Sequence, residues 1–116
     1  LSGQLDSLKS EGRRIHAVYG ALADKDVEGV ARAMANVVDA WYLAALTVPR
    51  GLSEQDLQAK LASAGISGAS AFGSVRKALE SALAAAAPAD LVVVFGSFYT
   101  VADARELLLD QPSVRS

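Results

Sequence analysis

The chain has 116 residues, 52% apolar and 21% charged, with a formal net charge of −2 at pH 7, which fits one globular domain and leaves no room for two. Its lysines and arginines are scattered, the closest cluster being Arg13–Arg14, so there is no basic face for nucleic acid or an anionic membrane. The absence of cysteine and the single histidine, His16, exclude disulfides and thiolate or multi-histidine metal cages within the chain.

In chain order, a helix is expected first over roughly Gly3–Glu11. Ile15–Gly20 (IHAVYG) is short and apolar and reads as a buried strand. Val27–Val38 follows as a helix, with Val27, Val30, Met34 and Val37/Val38 on one face and Asp26 as its N-cap. Ala40–Leu46 (AWYLAAL) is a second strand. Ser53–Ala64 opens with Ser53 and Asp56 three apart, a capping-box-like start, and turns Leu57, Leu61 and Ala64 inward. Ala64–Gly73 (AGISGASAFG) holds a short edge strand or only a loop. Ser74–Ala87 is a helix carrying Val75, Ala78, Leu79, Ala82, Leu83 and Ala86 in register, stopped by Pro88. Leu91–Phe95 (LVVVF) is a third strand, and Thr100–Leu109 repeats the start signal with Thr100 and Asp103 before Leu107 and Leu108. This alternation predicts an α/β domain, Rossmann-like and three-layered, with a mostly parallel sheet and helices on both faces. Apolar runs such as Ala82–Ala87 fall far short of the ~20 residues that cross a bilayer. The chain opens on Leu1 with no legible signal peptide, and we expect a domain from a longer cytoplasmic protein.

Ligands of an open parallel sheet bind outside the carboxyl ends of its strands. That rule selects Ala21–Asp26 (ALADKD), Thr47–Leu52 (TVPRGL) and Gly96–Thr100 (GSFYT). In the first loop, Asp24 and Asp26 flank Lys25. Either Asp26 caps the helix among solvated neighbours, or Lys25 meets an anionic group. In the second, Pro49 fixes one turn angle and Gly51 frees the next, while Arg50 is either solvated or grips a carboxylate. In the third, Gly96 lets backbone approach a ligand and Ser97 offers a hydroxyl near a helix N-terminus, or the segment is only a tight turn capped by Thr100. Gly68 and Gly73 have P-loop spacing, but Ser74-Val75 stand where Lys-Ser/Thr is required, and no dinucleotide fingerprint exists. His16 sits inside a strand and reads as structural. From the residues alone the reading ends at an anion-binding α/β domain.

The runs His16–Val30 (HAVYGALADKDVEGV), Val38–Gly51 (VDAWYLAALTVPRG) and Val92–Ala104 (VVVFGSFYTVADA) resemble, in order and spacing, the C-terminal domain of bacterial dihydrofolate synthase/folylpolyglutamate synthase, a branch of the Mur-ligase-like enzymes. The resemblance implies an ATP-dependent ligase that activates a carboxylate as an acyl phosphate and joins it to L-glutamate. Dihydropteroate or a reduced folate is the acceptor, and ATP and Mg are used by the full-length enzyme. It also implies that the P-loop and magnesium ligands lie in an N-terminal ATPase domain, this chain's partner. The chain alone is then expected to bind no cofactor and to be inactive. Asp24, Lys25 and Asp26 match the family's Asp-Lys-Asp loop, Arg50 its turn arginine, and Ser97 the serine after the last strand. All five are expected to face substrate or nucleotide without acting as catalytic acid, base or nucleophile. The family precedes this region with a strand ending in Asp-x-Ala-His-Asn-Pro, so residues 1–116 are expected to form a single domain lacking that first strand. The alternatives are a non-catalytic Rossmann-like binding module, which fold alone does not distinguish, and the equivalent domain of a peptidoglycan Mur ligase.

Overall fold

Short apolar strands need cover on both faces, and helices with one apolar stripe each supply it. A computed structural model describes residues 13–109; the helix expected over Gly3–Glu11 lies outside them. The elements are β1 (Ile15–Tyr19), α1 (Val27–Met34), β2 (Ala40–Ala44), α2 (Glu54–Ser63), β3 (Ser70–Phe72), α3 (Val75–Ala85), β4 (Leu91–Phe95) and α4 (Phe98–Leu109). The sheet has the order β3-β2-β1-β4, and every pairing is parallel. Ala17 of β1 is in register with Trp41 of β2 and with Val93 of β4. The expected three-layer α/β architecture is therefore present, and the Gly-rich Ala64–Gly73 segment does contain a strand, β3.

The two core layers follow from strand alternation. Ile15, Ala17, Tyr19 and Leu43 face Val27, Ala31 and Met34 of α1 and Leu57 and Leu61 of α2. Val18, Tyr42 and Ala44 face Val75, Ala78, Leu79 and Ala82 of α3 and Ala104 and Leu107 of α4. Leu83 departs from expectation: it borders the α3 stripe and is 36% exposed. β1 is wholly buried, whereas every residue of β4 is only half-buried. The valine-rich run that reads as a covered interior strand is thus an edge strand among the described residues.

Other boundaries differ for local reasons. β1 stops at Tyr19: the Gly20 N–H still reaches the Phe95 carbonyl, but the Gly20 carbonyl leaves the ladder for the Thr100 hydroxyl. β2 stops at Ala44, since Leu46 N–H turns to the Leu52 carbonyl. α1 ends at Met34, whose carbonyl accepts from both Val37 and Val38 N–H, closing a turn in place of another helical turn. Ser53 and Ser74 cap α2 and α3 through Asp56 N–H and Lys77 N–H, each at its expected start. The last helix begins two residues before Thr100, for a reason given with the site below.

At the amino end of the sheet, His16 is buried and satisfied at both ring nitrogens. Asp90 Oδ2 lies 2.9 Å from Nε2 and the Tyr42 hydroxyl 3.0 Å from Nδ1. A carboxylate can only accept, so Nε2 carries a proton, and in the neutral ring Tyr42 donates to Nδ1. Burial raises the pKa of the Tyr42 phenol and helps keep that donor protonated. The expected structural role of His16 is therefore realised: it ties β1 to β2 and to the residue that opens β4.

The Ala87 N–H and the His16 ring hold the Asp90 carboxyl below the usual carboxylate range. A depressed carboxyl contributes stability above its unfolded-state pKa, and that contribution is lost as pH falls through the folded-state value. The melting temperature of the chain should therefore fall further than that of Asp90→Ala between pH ~6 and ~3. The two curves should converge at the acid end, and parallel curves would refute the assignment.

Candidate functional site

The strand order reverses between β1 and β4, the place where an open parallel sheet leaves a crevice at its carboxyl edge. All three sequence-selected loops open on that edge. The loops after β1 and β2 are stitched together by backbone: Leu22 bridges Gly51, Ala23 N–H donates to the Arg50 carbonyl at 2.7 Å, and Leu52 N–H donates to the Ala21 carbonyl at 3.0 Å. This brings the Asp-Lys-Asp and Pro-Arg-Gly segments side by side.

Asp26 is spent on structure. Its carboxylate accepts from Gly29 N–H at 3.1 Å and caps α1, one of the two roles the sequence left open. Asp24 and Lys25 stand exposed ahead of it. Among the described residues, no ion pair holds the side chain of Lys25 or Arg50.

The turn carrying Arg50 differs from the sequence reading. Gly51 N–H donates to the Val48 carbonyl at 2.9 Å, closing a β-turn with Pro49 and Arg50 at its centre. Arg50 itself takes the left-handed conformation, φ +62°, where glycine is the usual occupant. Gly51 is needed for another reason: a Cβ there would collide with the Leu46 carbonyl. The cost of the left-handed residue therefore falls on an exposed arginine, a form of strain that clusters at functional sites.

Gly96 follows β4 at φ +122°, and a Cβ on it would strike the Gly20 carbonyl oxygen and the Tyr19 ring. This close approach delivers Ser97 to the start of α4. Ser97 Oγ accepts from Thr100 N–H at 3.1 Å, making Ser97 the N-cap and correcting the helix start expected at Thr100. Thr100 is fully buried, and its hydroxyl donates to the Gly20 carbonyl at 2.8 Å. Ser97 Oγ lies 2.8 Å from Thr100 Oγ1. Ser97 and Arg50 thus occupy opposite flanks of β1, on the same edge.

Tyr19 is a residue sequence reasoning did not select. Its ring packs on Phe95 at 4.9 Å and edge-on against Trp41 at 5.9 Å, flooring the edge between β1 and β4. Burial first, and then the Asp26 and Glu28 carboxylates, push its phenol up to about 12. It therefore stays protonated and offers no general base near neutrality. Thr100 was likewise missed as a site residue; a hydroxyl three positions after another in a helix's first turn was the available signal.

The model of the Mur ligase glutamate ligase domain matches residues 2–98. The dihydrofolate synthase/folylpolyglutamate synthase of Escherichia coli is 39% identical over 108 residues, 93% of this chain and 24% of that protein. The Haemophilus influenzae protein of the same name is 41% identical over 107 residues, with 89% and 24% covered. The chain thus spans about a quarter of the length of the curated relatives it matches. Among solved structures, Escherichia coli FolC in complex with ADP superposes with TM-score 0.77 at 36% identity, covering 91% of this chain and 25% of that one. A bifunctional folylpolyglutamate synthase/dihydrofolate synthase with Mn, AMPPNP and L-glutamate bound superposes with TM-score 0.80 at 33% identity, with 93% and 26% covered.

Two outcomes follow for the loops, both read by chemical denaturation. Gly96→Ala should cost at least ~2 kcal/mol, because strain at φ +122° adds to the clash with backbone. Arg50→Gly should instead stabilise by ~0.5–1 kcal/mol by relieving the left-handed residue. A neutral Gly96→Ala or a destabilising Arg50→Gly would contradict the geometry.

Proposed function

This chain belongs to the Mur ligase family as a glutamate ligase domain of the dihydrofolate synthase/folylpolyglutamate synthase type, and on that premise we propose that it forms the glutamate-side lid of an ATP-dependent ligase. The reaction joins L-glutamate to dihydropteroate, to a folylpolyglutamate, or to both. ATP supplies the phosphoryl group that activates the acceptor carboxylate as an acyl phosphate. The glutamate amine attacks the acyl carbon, the C–N bond forms, phosphate departs with the electrons of the broken C–O bond, and the surplus amine proton is released.

The observation that carries this reading is the gathering of three polar loops on one edge, with Lys25 and Arg50 free of intramolecular ion pairs among the described residues. Lys25 and Arg50 are suited to anionic groups: a substrate carboxylate or the departing phosphate. Ser97 faces the same cleft from the other flank of β1. Asp26 acts through the helix it caps, and Asp24 moderates the positive potential beside Lys25. These roles are positioning and charge stabilisation, the main resources of phosphoryl- and acyl-transfer sites.

Among the described residues, no three His, Cys, Asp or Glu side chains cluster into a metal site. Nor do Gly68 and Gly73 carry the lysine of a phosphate loop. We assign the metal and the nucleotide phosphates to the N-terminal ATPase domain of the full-length enzyme.

We further read residues 1–116 as one domain short of its first strand. β4 supports this, since Leu91–Phe95 is uncharged, half-buried and paired on one side only among the described residues. Such an edge lacks the charges, prolines or bulges that blunt exposed strands, as expected of a strand covered in the longer protein. A cytoplasmic location goes with this reading, and no helix among the described residues is long and apolar enough to cross a membrane.

The test is ATP- and L-glutamate-dependent phosphate release with dihydropteroate as acceptor. The chain alone should be silent, and adding the separately prepared N-terminal portion of a related enzyme should restore turnover. Lys25→Ala should then lower kcat/KM for glutamate about tenfold, the equivalent of one charge-assisted contact. A folded chain that stays silent with a complement proven on its own C-terminal domain would favour the non-catalytic binding module.

A further inference from the structure

Three oxygens at the β1–β4 junction form a chain whose direction is fixed by chemistry. The Gly20 carbonyl can only accept, so the 2.8 Å contact to Thr100 Oγ1 uses the single hydroxyl proton of Thr100. Ser97 Oγ, 2.8 Å from Thr100 Oγ1, must then be the donor in their contact. Ser97 also accepts from Thr100 N–H. A hydroxyl has one proton and two acceptor sites, so the proton of Ser97 is committed and one acceptor site is left. Thr100 is fully buried and its bond to Gly20 is shielded from water, so no solvent molecule competes to reverse the order.

We propose that Thr100 is a positioning residue that locks Ser97 as a hydrogen-bond acceptor towards the ligand, so that Ser97 receives an N–H of the glutamate amine and does not donate to a carboxylate. The inference rests on the reading of this edge as the glutamate side of the cleft. It deepens that reading by dividing the labour at the edge. The cations Lys25 and Arg50 serve anionic groups, and Ser97 orients the nucleophile. An amine that donates one N–H to Ser97 keeps its lone pair free to point at the acyl carbon, which is the alignment the attack requires.

The experiment uses the full-length enzyme containing this domain, with L-glutamate varied and glutarate as the inhibitor that keeps both carboxylates and lacks the amine. Thr100→Val keeps the shape and frees the Ser97 proton. It should raise KM for glutamate about tenfold, leave KM for ATP within about twofold, and leave inhibition by glutarate within about twofold, while Thr100→Ser restores the parent values. Tighter glutarate binding in Thr100→Val would mean that Ser97 meets a carboxylate, and the proposal would be overturned. An equal rise in the KM values for ATP and glutamate would mean a merely structural Thr100, and would overturn it as well. Ser97→Ala provides the second arm should Thr100→Val fail to fold. Weakened glutamate with unchanged glutarate supports the acceptor role, and weakening of both overturns it. If Ser97→Ala leaves glutamate kinetics untouched and Lys25→Ala does too, the glutamate-side reading itself falls. If only Lys25→Ala has an effect, that reading stands and the Thr100 assignment fails alone.

Discussion

The contact between the Gly20 carbonyl and Thr100 holds the carboxyl edge together. Gly20 lies one residue past the end of β1, beyond the ladder that would pair its oxygen, in a place closed to water. A buried carbonyl without a donor is costly, and the donor comes from eighty residues away in sequence. For Thr100 to arrive, the chain leaving β4 must pass directly over Gly20, and only a glycine at position 96 permits that passage. The same passage sets the start of α4, caps it with Ser97, and seats Ala104 and Leu107 in the core layer shared with α3. Fold and site thus meet in one hydrogen bond.

The two edges of the sheet are built on opposite terms. At the amino edge the buried polar groups are paired: His16 spans Tyr42 and Asp90, and the Asp39 carboxylate receives the first N–H of β1 at 2.7 Å. No buried polar side-chain atom in the described structure lacks a hydrogen bond. At the carboxyl edge, by contrast, Arg50 sits in an unfavourable backbone conformation and the charges of Asp24 and Lys25 are left in water. The stability that tolerates such a site comes from the buried strands and the well-satisfied edge, the distribution expected where strain serves function.

The sequence carried the architecture well because the signals were redundant. Three apolar runs, separated by helical periods with serine or aspartate ahead of them, leave few topologies other than a covered parallel sheet, and Asp26, Ser53 and Ser74 do cap the helices they precede. It carried the last helix start poorly, because Ser97–Thr100 and Thr100–Asp103 are overlapping start signals with the same spacing. The choice between them depends on the Gly20 carbonyl, a tertiary demand that local pattern cannot express. The Pro-Arg-Gly turn misled for a similar reason. Glycine normally takes the left-handed place, yet here the Leu46 carbonyl claims the glycine and displaces that burden onto Arg50. The loops that form the candidate site were legible from the rule of carboxyl edges; the hydroxyl chain among them was not, since it needs the register of β1 against β4.

The openness of this edge also bears on the proposed role as the lid of a second domain. Opposite charges 4 Å apart attract by ~1 kcal/mol in water but by ~4 kcal/mol at the effective dielectric of a protein surface cleft. Lys25 and Arg50, both exposed, are at the weak end of that range in this chain. In the proposed reaction, a second domain closing over them would exclude water and strengthen each contact while the acyl phosphate is exposed to hydrolysis. In the proposed lid, weak attraction in the open state would have a use, because product could leave as soon as the domains part and water returns. A lid built this way needs residues that are well positioned but poorly engaged on their own, and the carboxyl edge of this sheet has that character.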